Sequence, residues 1–173
     1  PVGASVIKDM AKQTKRLKPW VPADVPTIEK YDNDQAEASY AIIVDVDGTL
    51  AHLTDRSPYD WSRVSEDELD YGVRHVVNHA HQDSQVIVLS GRDGSCYDDT
   101  YHWLVENDVK FDALYMREAG DSRPDWIVKH ELFQRHVAGR YRIRYVLDDR
   151  DQVVHLWRTR LGLPTYQVAE GDF

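Results

Sequence analysis

Beyond residue 38 the apolar positions fall into two kinds of stretch. Ala41-Ile42-Ile43-Val44, Val86-Ile87-Val88-Leu89 and Tyr145-Val146-Leu147 are short unbroken runs. Runs of this kind, rich in β-branched residues, read as strands buried on both faces, as in a parallel sheet. Residues 113–116 and 165–168 read as two further, shorter strands. Between the strands the apolar spacing becomes helical. Residues 66–82 place Leu69, Val73, Val76, Val77 and Ala80 on one side, and 98–107, 127–137 and 152–161 read as three more helices. Residues 52–64 form a polar loop holding Arg56, Pro58, Tyr59 and Trp61. Alternation of strand and helix predicts an α/β fold, a Rossmann-like three-layer sandwich around a mostly parallel sheet.

The first 38 residues follow a different pattern. Residues 5–18 read as an amphipathic basic helix with Val6, Ile7, Met10 and Leu17 on its apolar side, ended by Pro19. Residues 21–38 are rich in Pro, Asp and Glu and read as a linker. The expected organisation is a basic helix over 1–20, a linker over 21–38 and a compact domain over 39–173.

Composition narrows the function classes. A net charge of −9 over 173 residues argues against a protein that coats nucleic acid through backbone contacts, while leaving room for a local basic site at one nucleic-acid end. The single cysteine, Cys96, excludes an internal disulfide and fits a reducing, cytoplasmic setting. No stretch approaches a membrane span, so no membrane partner is expected.

Chemistry concentrates where the strands end. The first strand runs into Asp45-Val46-Asp47-Gly48-Thr49, the second into Ser90-Gly91-Arg92, and a later one into Asp148-Asp149-Arg150. In a parallel sheet with right-handed crossovers these ends emerge at one edge, where open α/β sheets bind ligands. Converging carboxylates repel one another, and a divalent cation relieves the repulsion. Hard oxygen ligands point to Mg²⁺.

The order Asp-x-Asp-Gly-Thr, then Ser90, then Lys129, then Asp148-Asp149 resembles the motif series of the haloacid dehalogenase (HAD) superfamily of phosphoryl-transfer enzymes. A narrower resemblance is carried by Leu50-Ala51, the loop Arg56-Ser57-Pro58-Tyr59-Asp60, Ser90-Gly91-Arg92, Arg117-Glu118-x-Gly120-Asp121-x-Arg123, Lys129, Asp148-Asp149-Arg150 and the ending from Trp157 to Phe173. These are similar to the phosphatase domain of the phage polynucleotide kinase/3′-phosphatases. The resemblance implies a HAD-like fold with no full cap domain, because 52–65 and 93–128 are too short or too occupied for one. It also implies a Mg²⁺-dependent polynucleotide 3′-phosphatase of nucleic-acid end repair, working through an aspartyl-phosphate. Its partners would be 3′-phosphorylated DNA or RNA ends, with 2′,3′-cyclic phosphate a further candidate substrate. An upstream kinase domain is expected, with the 1–20 helix as its tail, and a host cytoplasm if the chain is phage-encoded. No Gly-x-x-x-x-Gly-Lys-Ser/Thr occurs here, so this chain itself is not expected to be a kinase.

By that resemblance Asp45 is the nucleophile, Asp47 the general acid and then base, and Ser90 and Lys129 hold the phosphoryl group. The metal set is Asp45, Asp47 (through its backbone carbonyl), Asp148 and Asp149, the last directly or through water. Arg56, Arg92, Arg117 and Arg150 are candidates to grip substrate phosphates or to position the carboxylates. Thr49, grouped with them as a substrate-side residue, is expected to support Asp47 or the turn. Arg123 and Asp125 could pair or support the site. The alternative reading is a HAD phosphatase for a small phosphorylated metabolite. A catalytically dead binding domain fits poorly with the intact Asp45, Asp47, Lys129 and Asp148. His75, His79 and His81 read as a polar helix face, Cys96 as an inert thiol, and Trp103, Trp126 and Trp157 as core, with Trp61 a candidate to stack on a base.

Overall fold

A computed structural model describes residues 28–34 and 38–171 of the chain. The basic helix expected over residues 5–18 lies outside the described residues.

Five parallel strands form the central sheet in the order β5-β4-β1-β6-β7. They are β1 (Ser39–Val44), β4 (Gln85–Asp93), β5 (Ala113–Arg117), β6 (Tyr141–Arg150) and β7 (Thr165–Gly171). Four α-helices connect and cover them: α1 (Tyr71–Ala80), α2 (Tyr97–Glu106), α3 (Asp125–His136) and α4 (Asp151–His155). The α/β architecture read from the apolar pattern is therefore the one observed.

The pleat sorts the side chains between two cores. Ile42 and Val44 of β1, with Val86 and Val88 of β4, pack against Val73 and Val77 of α1 and Trp103 and Leu104 of α2. Ala41, Ile43, Ile87 and Leu89 point the other way, onto Val128, Leu132 and Phe133 of α3 and Trp157 beyond α4. A period of two along each strand produces this division, and it also decides where the polar strand ends point.

Three elements differ from the sequence expectation. The helix expected over 66–82 begins only at Tyr71, where Asp70 caps it by accepting from the Val73 amide at 2.8 Å. The residues ahead of it form a 3₁₀ turn, Trp61–Glu66, and a small antiparallel pair of β2 (Ala51–His52) with β3 (Glu68–Leu69). The helix expected over 152–161 is α-helical only to His155. It widens to a π-helical turn over Leu156–Leu161 and stops at Gly162, whose φ is +73°. Within the segment read as linker, residues 28–34 lie on the domain. Ile28 and Tyr31 pack on the second core, the Tyr31 hydroxyl donates to the Tyr141 carbonyl at 2.7 Å, and the Asn33 amide both donates to and accepts from the Ile143 backbone.

Candidate active site

All three polar strand ends reach the same edge of the sheet. β1 lies between β4 and β6, so Asp45, Ser90 and Asp148 come from adjacent strands. β4 and β6 extend past the expected ends, and their pairing with β5 and β7 slips between Ser90 and Asp93 and between Asp148 and Arg150. Such bulges re-aim side chains at strand ends.

The pleat explains the first half of the site. The series Ala41, Ile43, Asp45 points to the face covered by α3, where Lys129 is fully buried. Asp148 follows Val146 onto the same face, and Asp149 turns to the other. The Lys129 Nζ lies 2.9 Å from Asp45 Oδ2, 3.0 Å from Asp148 Oδ2 and 3.5 Å from Asp125 Oδ2. The Trp157 indole N–H also donates to Asp148 Oδ2, at 3.1 Å.

One ammonium among this many carboxylates leaves the cluster short of positive charge. Burial pushes the Asp45 carboxyl well above the usual carboxylate range; Lys129 opposes this, while Asp148, Asp125 and Asp149 add to it. Burial and Asp148 likewise raise Asp149. For Lys129, burial pulls downward, and the surrounding acids outweigh it and hold the amine charged. Asp45 Oδ1 is buried with no hydrogen-bond partner. Carboxylate oxygens of Asp45, Asp148 and Asp149 lie within 4.8 Å of one another. An orphaned oxygen inside three converging hard ligands is the arrangement a divalent cation fits. Among the described residues this is the one such group of acids or histidines, so His75, His79 and His81 form no metal cluster.

The turn after Asp45 is shaped around Asp149. Gly48 has φ +76°, and a side-chain carbon there would collide with the Asp149 carboxylate. The Thr49 hydroxyl donates to Asp149 Oδ1 at 3.2 Å and is fully buried. Of the two supports read for Thr49, the turn is the one its hydroxyl serves: it meets neither Asp47 nor the arginines and instead ties the turn to Asp149. It fixes Asp149, because the turn points its side chain back toward β6.

The second half of the site gathers around Asp47. Its carboxylate is absent from the acidic cluster and turns toward Arg92, which grips it at 2.8 to 3.0 Å through Nε and Nη2. Arg56 approaches the same carboxylate at 3.6 Å. Both guanidinium groups are fully buried and share Asp67: Arg56 meets Oδ1 and Oδ2 through bonds of 2.6 and 2.7 Å, and Arg92 Nη2 donates to the same Oδ2. The Asp47 and Asp67 charges outweigh the burial of Arg92 and raise its pKa further. Arg56 and Arg92 are therefore spent on carboxylates, the second of the two roles open to them.

Sequence reasoning missed Asp67 and the polar role of Trp157. Ser90 is fully buried, and its hydroxyl accepts from the Arg92 amide at 3.1 Å. Arg117 ties the loops together by donating to the Gly91, Asp121 and Arg123 carbonyls and to Asp125. Arg150 is one-third exposed and 3.9 Å from Asp125. Arg123 pairs with Asp121 and Glu131 rather than Asp125, which instead lies beside Lys129. Trp103 and Trp157 are core residues, and Trp61 packs against the first core. Cys96 is buried, and burial raises its thiol pKa.

A fold with paired acids on adjacent strand ends, a buried lysine behind them and no inserted cap defines a HAD-type hydrolase. Residues 39–173 match the family model of the polynucleotide kinase PNKP phosphatase domain, and the chain belongs to that family of phosphatases. It is 36% identical over 129 residues to the "Putative bifunctional polynucleotide kinase/RNA ligase" of Autographa californica nuclear polyhedrosis virus, covering 72% of this chain and 18% of that protein. Two solved structures of a Pnkp1/Rnl/Hen1 complex, one titled as an RNA repair complex, contain chains similar to it. These are 39% and 32% identical, each with a TM-score of 0.80, over 90% and 98% of this chain and 55% and 63% of theirs. A haloacid dehalogenase-like hydrolase from Streptococcus pneumoniae shares the fold alone, at 13% identity, with a TM-score of 0.50 over 73% of this chain and 83% of that one. The chain thus spans less than two thirds of the viral relative and of the Pnkp1/Rnl/Hen1 chains that it matches.

Proposed function

We propose that this chain is a Mg²⁺-dependent polynucleotide 3′-phosphatase that repairs DNA or RNA ends through an aspartyl-phosphate on Asp45. The observation that carries the reading is the separation of the two acids. Asp45 is buried with one unpaired oxygen beside Lys129, and Asp47 is one-third exposed and held by two guanidinium groups.

Phosphoryl transfer asks the protein mainly to position groups and offset charge. An Asp45 oxygen attacks phosphorus while the bond to O3′ breaks, and Asp47 gives its proton to the departing O3′. Asp47 then takes a proton from water, whose oxygen attacks the aspartyl-phosphate, releasing phosphate and restoring Asp45. Arg92 and Arg56 keep Asp47 at one orientation through both steps. Lys129 offsets negative charge beside Asp45, and the Ser90 hydroxyl is placed on the adjacent strand to hydrogen-bond the phosphoryl group.

Asp45, Asp148 and Asp149 would hold Mg²⁺, with the Asp47 backbone carbonyl as a further ligand. When bound, the ion offsets charge on the phosphoryl oxygens and keeps Asp45 ionised. Arg150, at the end of β6, is the arginine of the set with the most accessible side chain, one-third exposed, and we assign it to a substrate phosphate. The segment between β1 and α1 holds only a 3₁₀ turn and a two-residue hairpin, which leaves the site open to the end of a polymer. The kinase-bearing relatives support a repair protein in which this phosphatase works beside a kinase domain.

The test is phosphate release, with Mg²⁺, from matched oligonucleotides carrying a 3′- or a 5′-phosphate. The expected result is release from the 3′ end only, lost with EDTA and in Asp45→Asn. Turnover of small phosphate esters with no release from either end would leave the hydrolase chemistry standing and end the polynucleotide reading.

A further inference from the structure

Tyr59 is the most exposed large apolar side chain among the described residues, with 84% of its surface accessible. A single exposed tyrosine needs no explanation by itself. Its setting does, because the backbone that presents it is held at every point. Ser57-Pro58-Tyr59-Asp60 is a β-turn closed by the Asp60 amide donating to the Ser57 carbonyl at 2.9 Å. Pro58 occupies the turn position whose φ the pyrrolidine ring presets. The Tyr59 amide donates to the Ser57 hydroxyl, and the Asp60 carboxylate accepts from the Ser62 amide and hydroxyl.

The turn is also wired to the site. Arg56 Nη1 donates to the carbonyls of Ser57 and Asp60, on either side of Tyr59, at 3.2 and 3.4 Å. The same guanidinium stands 3.6 Å from Asp47. A ring with no share in the core is thus held on a rigid turn, one arginine away from the acid that protonates the leaving O3′. The leaving group is the terminal nucleoside, so its base emerges on the Asp47 side of the site. Aromatic rings stack on any of the four bases and so suit an enzyme that must accept every end. A ring with few rotatable bonds, carried on a hydrogen-bonded turn, loses little entropy in doing so.

We propose that Tyr59 is a specificity-determining residue, on which the base of the 3′-terminal nucleotide stacks to seat the phosphate over Asp45. The inference rests on the polynucleotide reading above and names the contact that separates a nucleic-acid end from a simple phosphate ester.

The test is a cycle of kcat/KM values with two oligonucleotides, one ending in an ordinary 3′-phosphorylated nucleotide and one whose last residue is abasic but still 3′-phosphorylated. Native enzyme, Tyr59→Phe and Tyr59→Ala are compared. Native enzyme and Tyr59→Phe are expected to lose about tenfold when the base is removed, carried by KM. Tyr59→Ala is expected to show that same loss on the ordinary end and no further loss on the abasic one. Penalties that simply multiply, or an alanine variant equal to native enzyme on the ordinary end, overturn the inference while leaving the phosphatase assignment intact. No release by native enzyme from either oligonucleotide overturns the polynucleotide reading and this inference with it.

Discussion

Asp45 and Asp47 are two residues apart in one turn and occupy opposite electrostatic surroundings. Asp45 itself meets one cation, Lys129, and stands among three further acids, Asp148, Asp149 and Asp125, of which Asp125 is also paired with Arg117. Around Asp47 there are two cations, Arg92 and Arg56, and one further acid, Asp67. The first region is deficient in positive charge and buried, the setting that a divalent cation fits. The second has cations enough for its acids without a metal, whether or not Asp47 carries the proton it gives up, and leaves Asp47 partly open to solvent. The pleat alone would put residues two apart on one side; a single strand end serves both because β1 ends at Val44 and Asp47 sits in the turn made at Gly48. On the proposed reading, metal dependence would belong to the Asp45 side and positional rigidity to the Asp47 side.

The hardest way to break this comparison is to exchange the two acids' losses. Asp45→Asn is expected to abolish turnover of every phosphate ester, on the order of 10⁴-fold or more, whatever the leaving group. Asp47→Asn should be selective. With a phenolic leaving group that departs without a proton, the first step survives while water attack fails. Rapid mixing should therefore show a burst of phenol and a trapped phosphoenzyme, absent from Asp45→Asn. Equal inactivity of both variants towards an aryl phosphate would show that the roles are not divided this way.

The next effect tests rigidity. Arg92→Lys keeps a positive charge but loses the fork that holds Asp47 and reaches Asp67. A kcat loss of about 10²-fold is expected, with Mg²⁺ affinity unchanged, since small misplacements of a catalytic group have this scale of cost. Asp67→Asn leaves two buried guanidinium groups short of a counter-charge. It should destabilise the fold by about 3 kcal/mol, read as a shift in urea midpoint, with kcat falling alongside. An unchanged midpoint would mean that Arg56 and Arg92 do not depend on Asp67.

The strand ends could be read directly from the chain, and the reason is geometric. A parallel sheet forces its carboxyl ends to one edge, so Asp45, Ser90 and Asp148 converge once three strands are recognised. Lys129 needed the resemblance, because a lysine on a helix is ordinary until its neighbours are known. Asp67 was hidden. It lies in the acidic run Glu66-Asp67-Glu68, which reads as the first turn of a helix, and its partners are 11 and 25 residues away. One local signal was available: Asp70 caps at Val73, and starting the helix there would have released Asp67 to point elsewhere. Trp157 was read as core and is core, but a buried indole N–H requires an acceptor, and Asp148 is that acceptor. Thr49 reads as support for Asp47 or for the turn, and Asp149 is not visible as its partner because it lies 100 residues away; the +76° φ at Gly48 turns the next residue toward β6.

The smallest effect sharpens the metal side. Thr49→Val keeps the size and branching of a fully buried residue and removes only the hydroxyl that donates to Asp149. Loss of one hydrogen bond to a carboxylate costs about 2 kcal/mol of stability. Freeing a carboxylate from the group that orients it costs a bound metal roughly tenfold in affinity. Thermal unfolding measured across a Mg²⁺ series separates the two, because an ion that binds only the folded state raises the midpoint with concentration. Native protein and Thr49→Val should both rise, the variant at about ten times more Mg²⁺, and Asp148→Asn should barely respond. Arg92→Lys should follow the native curve. A Thr49→Val curve that overlays the native one would place Asp149 outside the metal's reach and confine the ion to Asp45 and Asp148.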